Sequence, residues 1–339
     1  MRISACGMVC PVGLHAGSAC AAFRAGISAF GELPFHDRQN QPVIGASVPS
    51  SGLDSRRRHR LAQMLALAVE DALRDRPKTD WSAVPLLVGL AELGRPGDAD
   101  DMAPTLLADV QALLDIRFHR ELSAALPFGH VSGFVGLRLA RELAASGRAS
   151  SSVVCGVDSY LNVASLDWLD ELGRLKTKDN TDGVIPGEAA AAVLVELDSQ
   201  AGGAELVGLG FSVETAGVLS DDALLGIGLA DAARTALGEA GWGFHEIDFR
   251  LSDVTGENYG FKEHALAHAR LMRVVRLADH PLWHPADSIG DTGAAAGIVQ
   301  LVMASIAWGR GYAPGARAAC FTGSVAGQRA TAMLRFGGH

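Results

Sequence analysis

An α/β fold made of two copies of one unit is what this sequence predicts, and three observations predict it. Short apolar strands alternate with helical patterns along the whole chain. The second half repeats the rhythm of the first. Two tight, small-residue helix lead-ins, Gly129 to Gly136 and Gly290 to Gly297, fall in corresponding places of the two halves, which otherwise share little sequence. The predicted halves are residues 1–200 and 201–339. With 339 residues, 48% of them hydrophobic, 40 Gly and three Tyr, the composition is that of a soluble, Gly- and Ala-rich α/β protein with a core of ordinary size.

The elements follow in order. Ile3 to Val9 is an apolar strand, Pro11-Val12-Gly13 a turn, and Ala16 to Ala25 a small-residue helix stopped by Gly26. Phe30 to Leu53 has no clear period and reads as loop with a hairpin. Ser55 is placed to cap a helix running to about Asp75, with Leu61, Leu65, Ala68, Ala72 and Leu73 on one face. Its first turn, Arg56 to Arg60, puts cations where the helix dipole disfavours them, and reads as a solvated helix end rather than a docking patch for an acidic partner. Pro85 to Leu90 is a strand, and a helix follows from about Pro104 to Asp115. Ser152 to Asp158, apolar on both sides, fits a central parallel strand. Gly183 to Leu197 turns into another strand. In the second half, Leu206 to Val213 is a strand, Asp221 to Ala240 a helix, Phe249 to Val254 a strand and Gly260 to Val275 a helix. The Gly290 lead-in opens a helix to about Trp308, and Ala319 to Thr322 and Ala332 to Phe336 close the chain as strands.

Charge and cysteine usage exclude several function classes. A net charge of −9 argues against a nucleic-acid partner. No window reaches the roughly 18 uninterrupted apolar residues of a membrane span, and Met1 to Cys10 lacks the pattern of a signal peptide. The five cysteines (Cys6, Cys10, Cys20, Cys155, Cys320) lie mostly in apolar runs and read as reduced, buried thiols of a cytoplasmic protein. Cys155, inside a strand, is a poor candidate nucleophile. Proteins or small molecules are the expected partners; no metal or other cofactor is implied. His264 and His268 have a chelating spacing, yet no acidic general base lies between them and no third ligand stands out, which favours a surface or interface role. His280 and His284, flanking Pro281 and Pro285, read as a loop brace.

The stretch from Leu126 to Gly147 organises the chain. Gly129, Ser132, Gly133 and Gly136 make a close-packed helix start, and Gly147 stands at a left-handed C-cap. Such a start commonly holds a nucleophile, because unpaired N–H groups and the dipole favour a developing anion there. Here the position is His130.

Several motifs resemble the β-ketoacyl synthase branch of the thiolase-like superfamily. They are Cys6-Gly-Met-Val-Cys-Pro-Val-Gly13 with Phe23-Arg-Ala-Gly-Ile-Ser28; Ser132-Gly133 with Gly147 and Gly156-Val157-Asp158; Asp182-Gly-Val-Ile-Pro-Gly-Glu188; and Gly290 with Gly293-Ala-Ala-Ala-Gly297. The resemblance covers nearly the whole chain and implies the layered αβαβα fold of two duplicated halves. It also implies a cysteine nucleophile where His130 stands, and two histidines where Thr255 and Asp291 stand. A helping lysine would fall near Ala286, and the Gly-rich oxyanion segment is reduced to Gly323 to Arg329. On this resemblance each expected reactive group is replaced while structural glycines and alanines remain.

Two readings of the replacements stay open. The dipole favours a neutral His130, which with Asp291 would make an acid–base dyad. Alternatively, His130 fills the vacated nucleophile space, which is favoured because no acyl-accepting residue is evident. Ser132 and Gly133 belong to the packing of the helix start, with Ser132 a helix-terminal hydroxyl. Glu257 and Asn258 stand beside the pocket, placed to hydrogen-bond a ligand or each other, and Gly323 borders it. Glu188 matches a residue that supports the fold.

The leading function is a catalytically degenerate ketosynthase-like protein that binds another protein as partner, adaptor or chaperone. The resemblance implies a homodimer, or a heterodimer with a related chain as in chain-length-factor subunits, formed through the strand at Ser152 to Asp158. Short ketosynthase-like proteins accompanying type VI secretion genes are also similar, which would fit effector handling. Competing readings are a divergent acyltransferase using His130 and Asp291, and a module binding acyl chains, acyl-carrier protein or CoA thioesters.

Overall fold

A computed structural model describes residues 1–50, 52–54, 56–76, 79–97, 102–197, 203–276 and 278–337. The chain opens with strand β1 (Arg2–Val9), helix α1 (Ala16–Arg24) and a hairpin of β2 (Phe30–His36) and β3 (Pro42–Ala46). It continues through α2 (Arg57–Leu73), β4 (Leu86–Gly89), α3 (Met102–Leu114), β5 (Ala124–Leu126), α4 (Ser132–Ala145), β6 (Ser151–Ser159), α5 (Val163–Glu171) and β7 (Glu188–Glu196). The second half comprises β8 (Gly203–Val213), α6 (Ile227–Ala240), β9 (Phe249–Ser252), α7 (Asn258–Leu271), β10 (Leu282–Trp283), the short α8 (Ala286–Ile289), α9 (Ala296–Gly309), β11 (Arg317–Gly323) and β12 (Gln328–Gly337).

Ten strands form one ladder in the order β10-β9-β11-β12-β8-β1-β7-β6-β4-β5. Its middle is thin, because β1 and β8 pair only at Arg2 with Glu205 and Ile3 with Ala204. On either side the arrangement is the same. β4 runs parallel to β5 and β6, β7 reverses against β6, and β1 reverses against β7. β9 likewise runs parallel to β10 and β11, β12 reverses against β11, and β8 against β12.

The apolar patterns explain the layers. α9, buried from Ala296 through Ala304 and apolar nearly all round, lies with α4 between the two five-strand sets, where Phe134, Leu137, Ile298 and Val299 meet Leu87, Val154, Phe249 and Leu251. α2 covers the outer face of the first set with Leu61, Leu65, Ala68 and Leu73, and α6 covers the second with Leu229, Ala233 and Ala236. Helix, sheet, helix pair, sheet, helix is the layering the sequence predicts.

Several expectations need correction. α6 starts six residues later than Asp221, because Gly226 takes φ 63°, a left-handed conformation that cannot continue a helix. Ser55, the expected cap of α2, lies outside the described residues, as does the 200/201 boundary. The basic first turn of α2 is not simply solvated: Arg60 pairs with the fully buried Glu188, Arg57 Nη1 donates to the Ser159 carbonyl at 2.7 Å, and Arg58 faces Asp109 at 3.1 Å. Glu188 also accepts from the Val48 amide at 2.9 Å and the Ser159 hydroxyl at 3.0 Å, so these cations tie α2 to the end of β7. β6 is parallel to β4 but antiparallel to β7, and bonded on both sides, so it offers no free edge to a second chain; the ladder's edges are β5 and β10. His264 is a core residue rather than a surface one, its Nε2 2.7 Å from the Ser252 hydroxyl; burial pushes it down to about 3, so the ring is neutral. Among the described residues no cluster of three or more His, Cys, Asp or Glu is placed to hold a metal, and no helix is long and apolar enough to cross a membrane.

Candidate functional site

The site forms where the loops after β9 and β11 meet the lead-ins to α4 and α9. Residues 129–131 make a single 3-10 turn ahead of α4. Gly129 opens it at φ 60°, and a Cβ there would come within 2.7 Å of Glu92 Oε2, so the turn needs glycine twice over. His130 follows, 5% exposed. Across from it Asp291, also 5% exposed, is held by its own backbone: its amide donates to the Ile185 carbonyl at 2.8 Å and its carbonyl accepts from the Gly187 amide at 3.0 Å. The Asp182–Glu188 motif is thus the brace that fixes Asp291 opposite His130.

His130 Nε2 lies 2.8 Å from Asp291 Oδ1. Burial disfavours a charged imidazole, but the Asp291 carboxylate outweighs it and pushes His130 up to about 9. Asp291 moves the opposite way, held low by His130 and by the Gly293 amide, which donates at 2.9 Å, against the cost of its own burial. Asp291 thus favours the charged imidazole over the neutral one expected from the dipole. His130 Nδ1 is buried and has no hydrogen-bond partner.

Around the pair, charges are neutralised locally. Arg174 forks onto both Glu257 oxygens at 2.7 Å each, and the Thr255 hydroxyl sits 3.4 Å from Glu257. Arg329 binds Glu263 at 2.8 and 3.0 Å and the Tyr259 hydroxyl at 2.8 Å. Asp253 accepts from the Gly323 amide at 2.8 Å, and burial pushes it up to about 6 despite His130 nearby. These groups line a polar cavity of about 70 Å³, room for a few waters and far short of the roughly 300 Å³ at which ligand pockets begin.

The structure sorts the sequence candidates. His130, Thr255, Asp291, Glu257 and Gly323 all line the cavity. Ser132 does not: fully buried, its hydroxyl spans the carbonyls of Leu90 at 3.1 Å and Leu126 at 2.8 Å. Gly133 is a packing residue, since a Cβ there would lie 2.9 Å from the Ile298 side chain. Asn258 is exposed at the start of α7 and Glu257 turns to Arg174 rather than to it. Sequence reasoning missed Asp253, Arg174, Glu263 and Arg329. Asp253 stands two residues before Thr255 and Arg329 ends the Gly323 to Arg329 segment, whereas nothing local marks Arg174 and Glu263. No thiol lines the cavity, and burial pushes Cys6 and Cys10 up to about 12 and the other three further, leaving all five protonated.

No protein-family model matches the chain, and no curated protein matches it by sequence. Solved structures do. The chain is similar to the ishigamide ketosynthase/chain length factor at 21% identity and TM-score 0.72, covering 99% of each chain. It is similar to a ketosynthase in complex with its chain length factor from Xenorhabdus doucetiae at 14% identity and TM-score 0.76, covering 99% of this chain and 98% of that one. A type II polyketide synthase acyl-carrier protein in complex with its ketosynthase gives 15% identity, TM-score 0.78 and 99% coverage of each chain. The fold is thiolase-like, as ketosynthases have it.

Proposed function

We propose that this chain is a non-condensing, ketosynthase-fold subunit that works by pairing with a protein partner. One observation carries the reading. Where the resemblance calls for a cysteine, the helix start carries His130, its Nε2 2.8 Å from Asp291, in a cavity of about 70 Å³ that no thiol lines and that is too small for an acyl chain. A protonated imidazole cannot serve as general base, and His130, Thr255 and Asp291 together offer no acyl acceptor of the kind a thiolate provides. This counts against the divergent acyltransferase and acyl-binding readings.

The kind of partner follows from the neighbours. Ketosynthases solved with their chain length factors favour a heterodimer with a related ketosynthase-like chain over a homodimer, and the neighbour in complex with acyl-carrier protein makes that carrier a second candidate client. An adaptor role in type VI secretion rests on the sequence resemblance alone, and gene neighbourhood decides it. Residues 1–200 and 201–339 are taken as the two thiolase-like halves of this subunit.

The test is mass spectrometry of the purified protein after incubation with acyl-CoA and with acylated carrier protein, alongside a pull-down from the native host. A stoichiometric ketosynthase-like partner and no acyl adduct are expected. Covalent acylation or turnover abolished by His130→Ala overturns the proposal.

A further inference from the structure

We infer that the trough between α1, the β10 segment and the C-terminal end of α9 binds a small organic anion with an aromatic body. Two hollows of about 650 and 620 Å³ lie there, well away from His130, and both are within the size range of small-molecule sites. Arg24 and Tyr312 line both, so the Arg24 guanidinium, stacked 4.8 Å over the Tyr312 ring, forms a partition between them.

The floor is apolar and fixed. Met303 and Cys20 are buried beneath it, and Trp283 is held against Phe249 with centroids 4.8 Å apart. Trp283 and Tyr312, with centroids 6.4 Å apart and planes tilted by 32°, supply two aromatic rings to the larger hollow. The rim is cationic. Arg24 and Arg310 are exposed and neither meets a carboxylate among the described residues. Asp287, the one carboxylate among the described residues lining the trough, is largely exposed, with His284 Nδ1 2.9 Å away. On a chain of net charge −9, one guanidinium at the aromatic hollow and a second in the adjoining hollow match a carboxylate or sulfonate attached to an aromatic ring, since guanidinium pairs with such groups in a two-point fork.

The probe is 2-naphthoate, with neutral 2-naphthamide as its uncharged counterpart, titrated into the intact protein by calorimetry and tryptophan fluorescence. Saturable binding at one site is expected, with the amide weaker by about tenfold or more. Arg24→Glu with Arg310→Glu, both at exposed positions, should weaken naphthoate by a similar factor; Arg24→Gln should give an intermediate loss. Trp283→Phe, which removes part of the aromatic wall, should abolish the fluorescence change and weaken the calorimetric affinity several-fold. Absence of saturable naphthoate binding, equal affinity for the amide, or unaltered binding by the double variant would overturn the inference.

Discussion

The lead-ins to α4 and α9 have the same backbone and opposite uses. Phe128 and Thr292 precede them at φ −115°, ψ 14° and φ −112°, ψ 14°. Gly129 and Gly293 take φ 60° and 48°, a three-residue 3-10 turn follows in each, and each helix runs 14 residues. His130 therefore corresponds to Ala294. In the second copy a carboxylate seals the turn: Asp158 Oδ2 accepts from the Ala294 amide at 2.9 Å, would collide with any Cβ on Gly293, and is locked by the buried Arg95, itself stacked 4.4 Å over Tyr160. In the first copy Glu92 lies against Gly129 with no hydrogen bond to either oxygen, and the turn opens on the cavity holding His130. The two copies supply equivalent frames, and the charged groups packed against them decide which is sealed and which opens on a cavity.

Breaking the sealed frame should cost most. Asp158→Ala removes the carboxylate paired with a guanidinium that is wholly buried, so we expect a loss of about 3–5 kcal/mol in denaturant unfolding, because the remaining charge cannot reach water. A loss below 1 kcal/mol would mean the two lead-ins are not energetically distinct. Next comes Gly133→Val in the first copy. Its Cβ would press on Ile298 at 2.9 Å, at the contact between the two central helices, for an expected loss of about 3 kcal/mol read as a shift in denaturation midpoint.

The fold was legible in the sequence because its determinants are local. Glycine lead-ins, strand length and helical period are read within a few residues, and they gave most elements, though not β5, α5, β10 or α8. Apart from the start of α6, which a local left-handed Gly226 sets, the misreadings share one cause, a partner distant in sequence. The run at Arg56 to Arg60 looks like a solvated surface until Glu188, 128 residues from Arg60, is found beneath it. His264, on a helix whose spacing alone does not reveal which face is covered, meets Ser252 in the core. Arg174 lies outside any motif, Arg329 ends the Gly323 to Arg329 segment with nothing local to show its partner, and only the tertiary fold brings both to the cavity. The His130 and Asp291 juxtaposition was readable from the paired lead-ins, but not its charge state. A helix dipole worth about half a charge, spread over a turn, loses to a full carboxylate at 2.8 Å.

That charge state gives the smallest effect and the sharpest contrast between the copies. His130 is raised from 6.5 to about 9, so the pair's contribution is fully present below pH 6.5 and is lost as pH rises through about 9. Asp291 is depressed below 3.8, so the same contribution also fails as pH falls through its lowered value. Relative to His130→Gln, which keeps a neutral hydrogen bond, the native protein should be more stable by about 2 kcal/mol near pH 6 and by nothing near pH 10. Asp253 runs the other way, since a carboxyl raised from 3.8 to about 6 destabilises the fold once pH passes that range. Asp253→Asn, whose amide oxygen still accepts from Gly323, should exceed the native protein by about 1 kcal/mol at pH 8 and match it below pH 4. Thermal unfolding across pH 4 to 10 measures both, and Ala294→Gln in the second copy supplies the control: it adds a side chain at the corresponding position with no titrating partner, so its cost should not vary from pH 6 to 10. A flat profile for His130→Gln would show that the imidazole sits neutral in the cavity, and the first copy would then be a base-bearing site after all.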